Sequence, residues 1–493
     1  MFNKYINLVK SSDCIIIYGA GVQGKRTLSF LRKLGMEKKV ICFAKSDAIV
    51  ETYILDGIEV RSIFQMKEYY DKALFLVSVS DQYLPEIKKV INKLKIKHCL
   101  DARKLYYDSY MKSNFVLSLR KIRNKIYARK EETYLTNFVD KQVTHITYCL
   151  ATNAGDTMLS QCVRRFLRFH KWHIIRVTQE VSEKTIEDIN ASDALIIGGG
   201  GLFLPDTNVN SISGWQWAIS EEQISDIKVP IIIFSVGYNY FKGQKPSEVF
   251  VSSLETMIEK ASFIGLRNMG SVELVRSFLR DELKEKVIYQ PCTTTLIRKI
   301  YGIEIRKNTK NVAFNVAFDR EKRRFGENRE FILSEIAKAA YEIQKMGYRI
   351  VYIAHCDDDF KFLPYLDNLK VNYVVRNLTQ SLPRTIIGCY RNIEVTIGMR
   401  GHAQMIPFGV GGKIISLGTH DKMKWFLEDV NLTDCYVDLN RNLESICVRI
   451  VNTFKKIVLQ FPKEMERRLI DEQERLWKIS CKNRDMIIGV IKY

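Results

Sequence analysis

The chain has no run of about 18 consecutive apolar residues, the length a helix needs to cross a bilayer, so no helical membrane span is expected. The opening stretch, MFNKYINLVKSSD, lacks an apolar core and a small-residue cleavage site and reads as a poor signal peptide. The 11 cysteines are scattered from Cys14 to Cys481, and no two stand as Cys-x-x-Cys. That argues against structural zinc and against a disulfide framework, and it suits a reducing cytoplasm. No zinc-finger, RNA-recognition or helix-turn-helix pattern is present. No nucleic-acid partner is therefore expected, although 76 Lys+Arg against 56 Asp+Glu give a formal charge of +20. Such an excess of positive charge suits anionic lipid or phosphorylated substrates. No metal is expected either: the three consecutive carboxylates Asp357, Asp358 and Asp359 cannot all face one point.

What is present is ordinary for a soluble globular protein, with 46% hydrophobic and 27% charged residues, and 493 residues require more than one domain. Short apolar runs at Cys14–Tyr18, Val40–Phe43 and Ala73–Val79 alternate with amphipathic segments, giving a small Rossmann-like domain over residues 1–110. Residues 111–142 are strongly basic, with apolar positions at helical spacing. They read as a helical linker, packed on a neighbour or in contact with an anionic membrane surface. Further runs at His145–Leu150, Ala194–Ile197, Ile231–Val236 and Phe263–Gly265 define a block over 143–310. Those in NVAFNVAF and at Ile350–Ala354, Tyr373–Val375, Val395–Ile397 and Lys413–Leu417 define another over 311–443. Strands alternating with helices mean parallel sheets covered on both faces. The expected class is α/β, with two Rossmann-like lobes facing one another and a charged helical tail over 444–493.

Near the start, IIIYGAGVQGKR places Gly19, Gly21 and Gly24 between a strand and a helix, the Gly-x-Gly-x-x-Gly setting in which backbone N–H groups approach a pyrophosphate. The second strand ends FAKSDA, with Ala44 and Lys45 where a ribose-binding acid would stand and Asp47 beyond them. A nucleotide or nucleotide sugar at Gly19, Gly21 and Gly24, or a purely structural turn, are the two readings. The stretch resembles the small nucleotide-sugar-binding-type domains attached to surface-polysaccharide enzymes.

Four later stretches carry the chemistry. TNAGDTML (152–159) puts Asn153 and Asp156 after a strand and near the first turn of a helix, as binding groups or as caps. ALIIGGGGLF (194–203) sets Gly198, Gly199, Gly200 and Gly201 after a buried strand, where a glycine turn allows close backbone approach to a phosphate. ASFIGLRNMGSVELV (261–275) ends a strand in Arg267 and then enters a helix. GMRGHAQMIPFGVGGKIISLGTHDKMKWFL (398–427) sets Arg400 and His402 where a strand ends and a helix begins; Lys413 and His420–Lys422 follow, lining the site or facing solvent.

In this order, the four stretches resemble the polysaccharide pyruvyl transferase family over about residues 143–430. The resemblance implies a GT-B-like pair of lobes. It also implies transfer of a pyruvyl group from phosphoenolpyruvate to a sugar of a cell-surface polysaccharide precursor as a ketal, with release of phosphate. It assigns the strand-end arginine and the Arg-x-His motif to the donor, here Arg267, Arg400 and His402. Gly401 stands where the family often has Leu, and Gln290–Pro291 where it often has Asp-Pro. The assignment is chemically sensible, because arginine grips a carboxylate or phosphate with a fork that lysine lacks. Gly401 would permit close approach. His402, at a helix start, would be held neutral by the helix dipole and free to move a proton.

The expected partners are phosphoenolpyruvate and a saccharide acceptor, free or lipid-linked. The expected location is the cytoplasm, with the basic surface suited to peripheral contact at the inner face of the membrane. A GT-B-like glycosyltransferase using a nucleotide sugar, or a non-catalytic nucleotide-sugar-binding protein, are the alternatives.

Overall fold

A computed structural model of the chain describes residues 4–48, 51–79, 83–102, 105, 138–148, 153–206, 208–241, 243–303 and 309–492. The basic stretch 111–137, most of the expected linker, lies outside the described residues; residues 139–142 of that linker are instead the start of a strand, β7 (Val139–Thr147).

The chain forms two compact units. The smaller carries one sheet in the order β3-β4-β2-β1-β5-β6, built from β1 (Ile15–Tyr18), β2 (Val40–Lys45), β3 (Tyr53–Leu55), β4 (Ile58–Ser62), β5 (Leu74–Val77) and β6 (Cys99–Asp101). All its pairings are parallel except the β3–β4 hairpin, which turns on Asp56 and Gly57 at φ 50° and 83°, a Asp-Gly turn with both residues left-handed. The helix Val22–Lys33 follows β1 and stops before Gly35 at φ 71°.

The larger unit carries two sheets, parallel throughout. The first runs β8-β7-β9-β10-β11-β12, from β7 (Val139–Thr147), β8 (Phe169–Arg176), β9 (Ala194–Phe203), β10 (Ile231–Tyr238), β11 (Phe263–Leu266) and β12 (Val287–Tyr289). The second runs β15-β14-β13-β16-β17-β18, from β13 (Asn311–Asn315), β14 (Arg349–Ala354), β15 (Tyr373–Asn377), β16 (Val395–Gly398), β17 (Lys413–Gly418) and β18 (Tyr436–Asp438). This is the Rossmann order, with the reversal between β13 and β16. Central strands such as β10 are buried along their whole length, as double coverage by helices requires. The fold is therefore α/β, with two Rossmann-like lobes of GT-B type and a smaller Rossmann-like domain ahead of them in the chain.

The two lobes are tied together by the 31-residue helix Pro462–Lys492. Its Gln473 donates to the Phe408 carbonyl of one lobe, and its Asn483 donates to the Tyr289 carbonyl and to Gln290 Oε1 of the other, at 2.9 and 3.0 Å. Gln290, a departure from the family pattern, is thus used to fasten this helix. Lys413 is buried at the start of β17 and paired with Glu394 at 3.0 Å, at the opposite end of the strand from the site described below.

Candidate functional site

Parallel α/β sheets collect ligands at the carboxyl ends of their strands, where loops lead into helix N-termini. In the larger unit, those ends hold the charged side chains. Asn153 and Asp156 follow β7, Asp206 follows β9, Asn239 and Phe241 follow β10, and Arg267 follows β11. Asp319, Arg320 and Arg324 follow β13, His355 and Asp359 follow β14, Arg400 and His402 follow β16, and His420 and Lys422 follow β17.

The lobes meet through these residues. The Ala154 N–H donates to the His355 carbonyl at 3.0 Å, and Arg320 forks onto Asp206 at 2.6 and 2.5 Å. The His402 ring lies directly on Gly155: a Cβ there would stand 2.4 Å from His402 Nδ1. Gly155, in the first turn of the helix Ala154–Leu167, is glycine because the histidine occupies the space a side chain would need.

Arg400 is saturated. Its Nε and Nη2 donate to Asp359, at 2.9 Å and 2.6 Å to Oδ1, and its Nη1 donates to Asp319 at 2.9 Å. Asp359 is wholly buried. Burial opposes the charge on Arg400, but Asp359 and Asp319 outweigh it and hold the guanidinium charged. Burial likewise works against the Asp319 carboxylate. Arg324, at 2.7 Å, and Arg400 overcome it and hold this acid well below the usual carboxylate range.

Arg267 is in the opposite condition. It is buried, its Nη2 donates to Asn239 Oδ1 at 2.7 Å, and its Nε has no hydrogen-bond partner. Among the described residues, no carboxylate makes an ion pair with it. Its guanidinium lies over Gly237, where a Cβ would meet Nε at 2.2 Å. Burial lowers its affinity for a proton, and Asp156 and Cys292 partly restore it. An isolated guanidinium in a dry site is a seat for an anion.

Two titratable groups lie beside it with opposite displacements. Burial raises the Asp156 carboxyl, against Arg267, Arg400 and Lys422. Burial, with Arg267, His355 and Lys422 nearby, drives His402 well below the ordinary histidine range, so its imidazole is neutral; its Nε2 stands 3.8 Å from Cys292 Sγ. The dipole argument from sequence gives the same direction, and burial and the neighbouring cations act with it.

The other residues singled out in the sequence have more local roles. Asn153 caps the helix, its Oδ1 accepting the Gly155 N–H at 2.8 Å. Gly198, Gly199, Gly200 and Gly201 lie inside β9 and not in a turn after it. A Cβ on Gly198 would meet the Phe234 carbonyl at 2.1 Å, and one on Gly199 would press on Leu159 and Val163 at 3.1 and 3.2 Å, so these two permit tight strand and helix packing. Gly201 faces Asn239, which a Cβ would reach at 1.5 Å; it makes room for the amide that orients Arg267. Gly401 has φ −52° and ψ −49°, and a Cβ would meet nothing within 4 Å, so the protein itself does not require glycine there. In the smaller unit, a Cβ on Gly19 would meet the Ser78 carbonyl at 2.5 Å and one on Gly24 would meet the Gly19 carbonyl at 1.9 Å, while Gly21 is the N-cap of Val22–Lys33 with open space around it.

Sequence reasoning missed Gly155, Gly237, Asn239, Asp319 and Arg324. Their signal was position alone: each stands at, or within ten residues of, the end of a strand that was recognised.

The arrangement is that of a two-lobed α/β protein whose buried charged side chains gather where the two sets of strand ends converge. The family model for polysaccharide pyruvyl transferase matches residues 18–421, and the chain belongs to that family. The match begins in the smaller unit, so the likeness is not confined to 143–430 as the motifs alone suggested. The comparison with curated proteins gave no match. Among solved structures, the chain is similar to UDP-GlcNAc 2-epimerase from Neisseria meningitidis bound to UDP-GlcNAc, at 12% identity over 71% of this chain and 98% of that one, TM-score 0.44. It is also similar to S. aureus MnaA with UDP, at 12% identity over 67% and 90%, TM-score 0.41. A third likeness is to a Thermobaculum terrenum O-GlcNAc transferase mutant, at 11% identity over 72% and 70%, TM-score 0.37.

Proposed function

We propose that the chain transfers a pyruvyl group from phosphoenolpyruvate to a saccharide hydroxyl pair, forming a ketal and releasing phosphate. The observation that carries this reading is the buried Arg267 guanidinium without a carboxylate partner, beside a neutral His402 and an Asp156 whose carboxyl burial raises. A small dianion or trianion is the ligand such a site lacks.

The chemistry needs an acid and a base whose proton affinities are pushed apart, and Asp156 and His402 are such a pair. Asp156 gives its proton to the methylene carbon of the enol donor, which becomes a methyl group. His402 takes the proton of the acceptor hydroxyl as its oxygen bonds to the adjacent carbon. The carbon–oxygen bond to phosphate then breaks with the electron pair leaving on phosphate, which takes the proton held by His402; the second hydroxyl of the sugar bonds to the same carbon, and its proton passes to the Asp156 carboxylate. Arg267 holds the donor's anionic end through these steps, and Arg400 keeps Asp319 and Asp359 in place around it.

The test is phosphate release from phosphoenolpyruvate with free and lipid-linked oligosaccharide acceptors. His402→Asn and Asp156→Asn should each lower turnover by about 10²–10⁴-fold with little change in melting temperature. In heavy water the product methyl group should carry one deuterium. Transfer from a nucleotide sugar, with none from phosphoenolpyruvate across a broad acceptor panel, would favour a glycosyltransferase. Near-normal turnover of the His402 variant would leave that residue structural.

A further inference from the structure

After the ion pairs among the described residues of the larger unit's site are counted, two cations that are buried or half-buried remain without one. Arg320 is paired with Asp206, Arg324 with Asp319, and Arg400 with Asp359. Arg267 is the first of the remaining two. Lys422 is the second: among the described residues its Nζ has neither a hydrogen bond nor an ion pair.

Lys422 is the second residue of the helix Asp421–Asp429, which follows β17 at its carboxyl end. Its backbone is fixed, because its N–H donates to His420 Nδ1 at 3.2 Å. His420 is fixed in turn, its Nε2 set 3.4 Å from the Asn239 carbonyl and its ring 4.3 Å from that of Phe241. The electrostatic neighbours of the ammonium are Arg324, Arg267 and Arg320, with two carboxyls, Asp319 and Asp156; Asp319 is already shared among Arg324, Arg400 and Arg320, and burial raises Asp156 toward its protonated form. A half-buried ammonium set among three guanidinium groups is held there at a cost unless an anion joins it.

The two free cations differ in shape. Arg267 offers a flat fork, which suits a planar carboxylate; Lys422 offers a compact point charge at a helix N-terminus, which suits a tetrahedral phosphate. We propose that Lys422 seats the phosphate group of the donor while Arg267 takes its carboxylate. This rests on the reading that the donor is phosphoenolpyruvate, but the seat is testable without turnover.

Binding to the full-length protein is measured by calorimetry with four probes: phosphoenolpyruvate, inorganic phosphate, sulfate and pyruvate. Lys422→Met should weaken phosphate, sulfate and phosphoenolpyruvate by about 10–100-fold and leave pyruvate unchanged. Lys422→Arg should retain most of the phosphate affinity and serves as the folding control. Arg267→Met should show the reverse split, losing pyruvate more than sulfate. Wild-type protein that binds phosphate and sulfate through Lys422 but neither binds nor turns over phosphoenolpyruvate would uphold the seat and overturn the donor. Wild-type affinity of Lys422→Met for phosphate, or equal loss of phosphate and pyruvate, would overturn the seat.

Discussion

Two arginines leave the ends of parallel strands in the two lobes of the larger unit, and their surroundings are opposite. Arg400, after β16, is gripped by Asp359 and Asp319 through three of its nitrogens. Arg267, after β11, has one neutral amide oxygen and an idle Nε. Residue type and topological position are the same; the partners are not. A guanidinium whose charge is already met by carboxylates holds loops together, whereas one left unmet in a dry site is ready for a ligand.

The comparison breaks most sharply at Arg400. Arg400→Met leaves Asp359 buried and uncompensated, and the loss of stability should be about 3–5 kcal/mol, read from urea unfolding. Arg400→Lys should recover little of it, because a lysine cannot reproduce the forked contact. A stable Arg400→Met protein that has lost only donor binding would reverse the roles of the two arginines.

A smaller effect is expected at Gly237. A Cβ there would meet the mobile end of Arg267, with Nη2 at 2.6 Å, so Gly237→Ala should move the guanidinium and not the fold. Turnover should fall by up to about 10²-fold, as displacement of a positioning group does, with the melting temperature nearly unchanged. Unchanged turnover would show that the seating of Arg267 is unimportant.

The smallest effect is a pH dependence that the paired arginine lacks. Burial, and then Arg324 and Arg267, lower Lys422 from its ordinary 10.5 to about 7. Between those values the unfolded chain binds the extra proton and the folded one does not. Stability of the ligand-free protein should therefore rise with pH across that interval. Sulfate, whose charge is fixed, should bind more weakly as the pH rises above about 7, by at most about tenfold per unit. Of the other facing groups, Arg267, Arg320 and Arg324 stay charged, Asp319 stays ionised, and His402 and His420 stay neutral; Asp156, which burial raises, is separated from Lys422 by repeating the profile in Asp156→Asn. Lys422→Arg should flatten the profile; an unaltered profile would place the titrating group elsewhere.

The strands that carry the site were legible because each is a short buried apolar run bounded by turn residues, as in Ile231–Val236 and Val395–Ile397. The strand-end position of Arg267, Arg400, His402 and Asp156 was legible for the same reason. What occupied each arginine was not. Asp359 is the third of three consecutive carboxylates, and only the turn after β14 decides which of them points inward. Asp319 comes from a different strand. The run Gly198–Gly201 misled in the other direction: four glycines suggest a turn, yet β9 continues to Phe203 because its neighbours β10 and Ala154–Leu167 press too close for side chains. The Gly155–His402 contact joins residues 247 positions apart, and nothing local in either segment records it.

The most direct test of the account is to follow phosphoenolpyruvate binding and thermal unfolding together in Arg267→Met. Removing an unpaired buried cation should leave the melting temperature equal to or above that of the wild-type protein, while donor affinity falls by about 10–100-fold. Retained donor affinity, or a loss of stability as large as that of Arg400→Met, would contradict it.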